Sequence, residues 1–294
     1  MIKALQAEEL QKKLKNVQTL PTIPPIVTKL NEMVEDENTT AFQLGEVIET
    51  DQVLTSKLLK MVNSSFFGFP KRISTVSNAI VLLGFNVIKT LIVTSSIFEV
   101  MQASDLGLWE HSLGCATAAG ILAKKRNIHN PEEISTAGLI HDLGKIVIKA
   151  ELPDEYKKIQ ELVEQNSITM REAELKVLGV SHETIASWLI SNWNLPLRLV
   201  IPVEYHHRPS EAGEYKKIAA ICHFADILIR ALGVGNGGDP WVPRLDHDAW
   251  ELIKFTKKEI KEIIKEIEDR LIDIEEFAEE MQGLTNGTNS TSNS

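Results

Sequence analysis

Apolar residues recur every three or four positions along most of the chain, and no stretch alternates convincingly in the two-residue rhythm of a strand. The first hundred residues divide into about five or six helices. A leading helix over 5–17 carries Leu5, Leu10, Leu14 and Val17. Leu20-Pro21-Thr22-Ile23-Pro24-Pro25 interrupts it, and Pro24 and Pro25 suit the first turn of a helix reaching Met33 or Val34. Thr40 can cap a helix through Ile48, and Thr50 or Asp51 another through Val62. Helices over 74–83, stopped by Gly84, and over 87–101, capped by Asn86, complete this half. Residues 102–107 are short and polar, and the boundary between two helical subdomains, 1–104 and 105–282, is placed there.

The second half continues in helices. The stretch 108–124 is rich in Ser112, Gly114, Ala116, Ala118, Ala119 and Gly120, so a neighbouring helix can pack close. Ala137 to Lys145 reads as one buried helix. Pro153 opens a helix over 154–165, and Thr169 with Glu172 forms a capping box for 172–178. Ser181 caps a helix beginning at His182, Pro196 starts one ending at His206, and another runs over 214–232. A last helix over 251–281 carries its lysines first and its carboxylates second, against the helix dipole, and reads as the solvated face of a docked helix. Residues 283–294 are Gly, Asn, Ser and Thr with one Leu, and read as a disordered tail. The pattern predicts an all-α fold, one helical bundle following another.

Composition narrows the class. Of 294 residues, 43% are hydrophobic and 24% charged, as in a globular protein. No apolar run reaches the ~18 residues of a membrane span, and the N-terminus has no apolar signal-peptide core, so the expected location is cytoplasmic. A net charge of −10 argues against nucleic acid as a partner. Cys115 and Cys222 lie in apolar surroundings and read as reduced core thiols. Phe66, Phe67 and Phe69 share a Gly/Pro/Ser turn, where they either fold back onto the core or form a partner patch.

The chemistry centres on His141 and Asp142. Burying a carboxylate alone costs several kcal/mol or neutralises it. A metal ion or a plain His–Asp pair would each meet that cost. Gly138 and Gly144 leave room for a close neighbour. His111, His182, His206, His207 and Asp226 extend the set to seven candidate ligands, all at helix ends or on apolar helices. Imidazoles and carboxylates without paired cysteines suit Fe, Mn, Ni or Zn. Seven donors exceed one tetrahedral site and suit one or two divalent ions, the pair sharing a bridging carboxylate and clamping a phosphoryl group. Asp142 and Asp226 should then lie within ~10 Å. Lys145, one turn past His141, can pair with a substrate phosphate, and Lys145 and Asp142 are the candidate catalytic residues. His129 and His247 lie in polar loops; His223, three residues before Asp226, could share its face but reads rather as a surface residue. The glycines at 233–238 lack the Gly-Lys-Ser/Thr ending of a P-loop and read as a flexible connector.

The order His111, His141-Asp142, His182, His206-His207, Asp226 resembles the HD superfamily of metal-dependent phosphohydrolases. Leu20-Pro21-Thr22-Ile23-Pro24, Ile48-Glu49-Thr50-Asp51, Leu58-Leu59-Lys60-Met61-Val62-Asn63-Ser64 and Ala79-Ile80-Val81-Leu82-Leu83-Gly84 resemble the HDOD domain, the HD-related output domain of bacterial signalling proteins. Trp193-Asn194-Leu195-Pro196 and His206-His207-Arg208-Pro209 fit its second half. The resemblance covers about residues 15 to 280 and implies an all-helical regulatory protein in bacterial signal transduction or motility control. It matches at all seven ligand positions. HD-GYP phosphodiesterases, which cleave cyclic di-GMP, follow the His pair with Glu and then Gly-Tyr-Pro. Here His207 is followed by Arg208-Pro209-Ser210-Glu211, and the bridging Glu of some such enzymes would fall at Gly107. Asp51 precedes Gln52 where HDOD domains usually have Pro.

The leading expectation is a signalling module that binds a protein partner or a nucleotide ligand, with a metal site in its HD half and no membrane association. The competing one is an active phosphohydrolase on a nucleotide or cyclic nucleotide. Without the Gly-Tyr-Pro segment, cyclic di-GMP should not be hydrolysed. Linear product forming at ~1 s⁻¹ or faster, an ordinary enzymatic turnover, would contradict this.

Overall fold

Three helices of the N-terminal half begin with the same device. Thr40, Asp51 and Thr75 each accept a hydrogen bond from the backbone N–H three residues on, at 3.2, 2.9 and 3.2 Å. A cap of this kind is worth ~1 kcal/mol. The structure is a computed structural model that describes residues 25–34, 38–64, 69–92, 106–191 and 195–270, with positions 7, 10–12, 14, 36, 67 and 95. The N-terminal helices are α1 (Pro25–Val34), α2 (Ala41–Glu49), α3 (Gln52–Val62) and α4 (Val76–Leu83), followed by a helical stretch over 85–92. That stretch begins at Phe85, so Asn86 lies inside it, its carbonyl accepting the Thr90 hydroxyl at 2.8 Å. Most of the expected leading helix, the 102–105 part of the subdomain boundary and the 283–294 tail lie outside the described residues.

After α3, Asn63 ties the turn by donating to the Ile73 carbonyl at 2.8 Å and accepting from its N–H at 2.7 Å. Phe67 is 2% exposed and stacks on the partly buried Phe69, while Phe66 lies outside the described residues. The two described rings fold back onto the core. Lys124 donates to the Phe67 carbonyl at 3.2 Å, fastening this turn to the second half.

That half comprises α5 (Leu106–Lys125), α6 (Pro131–Ile140), α7 (Leu143–Glu151), α8 (Pro153–Asn166), α9 (Met170–Val177), α10 (His182–Ser191), α11 (Leu197–Tyr205), α12 (Lys216–Ala231) and α13 (His247–Ile253). The described residues are all-helical, with no strand among them. Helix α5 is the central element, buried on nearly every side from Leu108 to Ala123 and packed between α6 and α12. One contiguous apolar core runs from Val27 to Ile267, and a smaller one gathers Val147, Ile148, Ile159, Val163, Ala173 and Ile185 around α7 to α10.

Two expected helices are interrupted. The last one breaks at 254–256, between α13 and a helical stretch over 257–270. Arg126 holds the break open, donating to the Ile253 carbonyl at 2.5 Å and to Glu259 at 2.9 Å, its guanidinium 3.7 Å above the Phe255 ring. Thr256 and Glu259 restart the helix as a capping box. The other interruption divides 137–145 between α6 and α7, at His141 and Asp142.

Both glycines of that segment meet backbone. A Cβ on Gly138 would lie 2.8 Å from the Cys115 carbonyl on α5, and one on Gly144 would run into the His182 carbonyl on α10. Gly144→Ala should therefore separate α7 from α10 and lower stability by ~1–3 kcal/mol, the usual cost of overpacking. Urea unfolding of the two proteins measures it, and an unchanged midpoint would contradict the packing described.

Candidate metal centre

Two histidines are aimed by the same local arrangement. His141 follows the last residue of α6, and its Nδ1–H donates to the Gly138 carbonyl three residues back, at 2.7 Å. His206 follows α11 and donates likewise to Val203, at 2.7 Å. In each case the ring takes a carbonyl that another helical turn would use, and the helix ends there. Because Nδ1 holds the proton, Nε2 carries the lone pair and faces inward. His182 is oriented differently. Its Nδ1 donates to Glu174 at 2.7 Å, and Glu174 also accepts the His182 backbone N–H at 2.8 Å.

All seven sequence-predicted side chains converge, arranged about Asp142. Its Oδ2 lies 3.5 Å from His111 Nε2 and 3.3 Å from His141 Nε2. Its Oδ1 lies 3.2 Å from His182 Nε2 and 3.9 Å from His206 Nε2. His111 Nε2 is also 3.2 Å from Asp226 Oδ1, which places the two aspartates on one imidazole. His207 Nε2 comes within 3.2 Å of His182 Nε2, and His206 Nε2 within 3.4 Å. The site thus has two lobes, His111–His141–Asp226 and His182–His206–His207, with one oxygen of Asp142 turned to each.

Each carboxylate carries a permanent cation as well. Lys145 donates to Asp142 Oδ2 at 2.7 Å, and Arg230, one turn past Asp226, donates to it at 3.2 Å. Burial would raise both acids. His141 and Lys145 hold Asp142 well below the usual carboxylate range, and His111 with Arg230 does so for Asp226. Repulsion between the two aspartates is therefore already relieved within the protein. Burial opposes charge on His182, but Glu174 and Asp142 together outweigh it and raise the group to about 9. Burial, then His141 and His182, push His206 down to about 3.

What the chain leaves unsatisfied is more telling. His141 Nε2, Asp142 Oδ1 and Asp226 Oδ2 are buried without a hydrogen-bond partner. An orphaned buried acceptor costs ~1–3 kcal/mol. His141 Nε2 and Asp226 Oδ2 belong to the first lobe, and Asp142 Oδ1 turns toward the second, where imidazole Nε2 atoms lie 3.2–3.4 Å apart; a divalent cation in each lobe would satisfy them.

Four side chains escaped the sequence reading. His223 is 2% exposed rather than on the surface. It donates to the His206 carbonyl at 2.7 Å and accepts the Asp246 N–H at 3.0 Å, bracing the His206–His207 turn. Glu174 precedes His182 by eight residues and gives no local pattern. Arg230 and Cys115 stand four residues after Asp226 and His111, a helical spacing that could have pointed to them. The glycine loop is not a free connector. Gly237 accepts from Lys145 at 2.7 Å and from Arg230 at 2.6 Å, and Asn236 N–H donates to Gly107 at 2.7 Å. A side chain at Gly107 would press against Asn236. Lys145 is thus tied to Asp142 and to this loop, which leaves one of its three N–H groups for a ligand. A cavity of about 220 Å³ opens onto Lys145, His182 and His207, with Arg171, Arg230 and Arg244 in its wall.

The HDOD domain model matches residues 20–209, most of the chain. The chain belongs to the HDOD domain family. A crystal structure of an HDOD domain protein of unknown function from Geobacter sulfurreducens is 27% identical, with a TM-score of 0.71 over 94% of this chain and 97% of that one. A Marinobacter aquaeolei VT8 protein, provisionally named for signal transduction, shares the fold at 21% identity and a TM-score of 0.71, over 95% of this chain and 66% of its own. An uncharacterized Treponema pallidum (strain Nichols) protein is 27% identical over 241 residues, 78% of this HDOD chain but only 45% of that protein. No helix among the described residues is long and apolar enough to cross a membrane.

Glu174 orients His182 through its Nδ1. Glu174→Gln should keep the fold and weaken divalent-metal binding by ~10–100-fold, as loss of such an outer partner does. Competition with a chelator measures it, and unchanged affinity would show that Glu174 does not set the ring.

Proposed function

We propose that this HDOD protein is a signalling component whose HD-type site holds two divalent ions and hydrolyses a phosphate ester. His111, His141 and Asp226 would hold one ion, His182, His206 and His207 the other, and Asp142 would bridge them. Bound there, the ions supply charge that activates water and neutralises a phosphoryl group. The observation that carries this reading is Asp142, whose two oxygens each face a separate set of histidines. Lys145 keeps Asp142 ionised and offers its remaining N–H to a substrate oxygen. Arg244 stands exposed in the cavity wall with no ion pair among the described residues, placed to meet a phosphate at the mouth. The second lobe is the one that faces the cavity, through His182 and His207.

The N-terminal bundle, residues 1–104, would then act through a partner. Phe42 and Val81 support this, being 62% and 72% exposed on α2 and α4. The same observation favours the second reading, a binding module in which the metal site only supports the fold. Metal analysis after chelator-free purification, with turnover on a panel of phosphoesters in added Mn²⁺ or Fe²⁺, separates the two. We expect close to two ions per chain and turnover that Asp142→Asn abolishes. Metal without turnover on any phosphoester would favour the module. Arg244→Ala should raise KM about tenfold or more with little change in kcat, as loss of a charged hydrogen bond to substrate does.

A further inference from the structure

The first lobe contains a fourth donor. Cys115 follows His111 by one turn of α5 and so shares its face. It is 1% exposed, and its Sγ lies 3.6 Å from His111 Nε2. Ligand atoms of His111, Cys115, His141 and Asp226 all lie within 4.8 Å of one another. Two of these residues present buried atoms without a hydrogen-bond partner, His141 Nε2 and Asp226 Oδ2. The close approach of Gly138 to the Cys115 carbonyl brings the His141 turn against this part of α5. Cys222 provides the contrast. It is also buried, but its Sγ faces the Ile134 carbonyl at 4.0 Å and belongs to no such group of donors.

We propose that Cys115 is a thiolate ligand of the ion held by His111, His141 and Asp226, which makes this half of the centre a mixed nitrogen, oxygen and sulfur site. The inference rests on the metal reading above and deepens it. A thiol that coordinates a divalent cation is deprotonated outright. The metal–sulfur bond forms as the S–H proton leaves to solvent. Thiolate ligation favours Zn²⁺ or Fe²⁺ over Mg²⁺ and Mn²⁺, whereas the second lobe, all imidazole, has no such bias towards sulfur-seeking ions.

Cobalt substitution tests this without reference to turnover. The full chain, stripped with chelator and loaded with Co²⁺ alone, should show a thiolate-to-cobalt charge-transfer band in the near ultraviolet beside the visible cobalt bands. Cys115→Ser should lose the first and keep the second, and Cys222→Ser should keep both. Cys115→Ser should also lower the ratio of Zn²⁺ to Mn²⁺ affinity by ~10-fold or more, as loss of a soft ligand requires. The wild-type spectrum decides even if the variants fold poorly. Cobalt bound without the charge-transfer band overturns the inference and leaves the metal centre standing, and failure to bind cobalt at all overturns both. A band that follows Cys222 instead of Cys115 also overturns it.

Discussion

The Nδ1–H bonds of three imidazoles govern the centre of this protein. His141 and His206 spend that proton on a carbonyl three residues back, and His182 spends it on Glu174. A neutral imidazole has one donor and one acceptor nitrogen, so fixing the donor fixes the acceptor. The rest of the site follows from that constraint. Helices α6 and α11 end where their histidines take over a carbonyl. Glycines 138 and 144 let α5 and α10 close around the resulting turn. His223 supports the second turn from beneath through the His206 carbonyl.

Much of this was legible in the sequence. Helical periodicity carries the all-α fold because most helices bury one face, and the Thr40, Asp51 and Thr169 caps are local signals. The seven converging side chains could be picked out because charged or polar groups inside apolar helices are rare. The rest depends on contacts between distant segments. The break at 254 had a local signal, the Thr256-x-x-Glu259 capping box, that the unbroken apolar spacing overrode, and it is held by Arg126 from more than a hundred residues away. His223 looked like a surface residue because its two partners, the His206 carbonyl and the Asp246 N–H, are backbone groups from other elements. The turn at His141–Asp142 was hidden by apolar spacing that continues unbroken across it.

The charge balance also departs from what the sequence suggests. Two buried aspartates imply an external cation only if the protein supplies none. Here Lys145 pairs with Asp142, and Arg230 is shared between Asp226 and Asp239. The case for a metal moves from charge to hydrogen bonding, to acceptors and lone pairs that neither cation reaches. The two needs are separable: lysine and arginine let the site fold with its carboxylates ionised, and the unsatisfied atoms give it a reason to take up an ion.

The carbonyl of Gly237 receives both cations, Lys145 at 2.7 Å and Arg230 at 2.6 Å. One oxygen atom therefore registers the position of each aspartate at once. Surface loops ordinarily tolerate insertions and deletions better than the elements they join. This one cannot drift freely in length. A residue added or lost between Gly233 and Gly238 would pull the shared oxygen away from two ion pairs together, and with them from both aspartates. The most permissive stretch of the chain by composition is, by length, among its least negotiable.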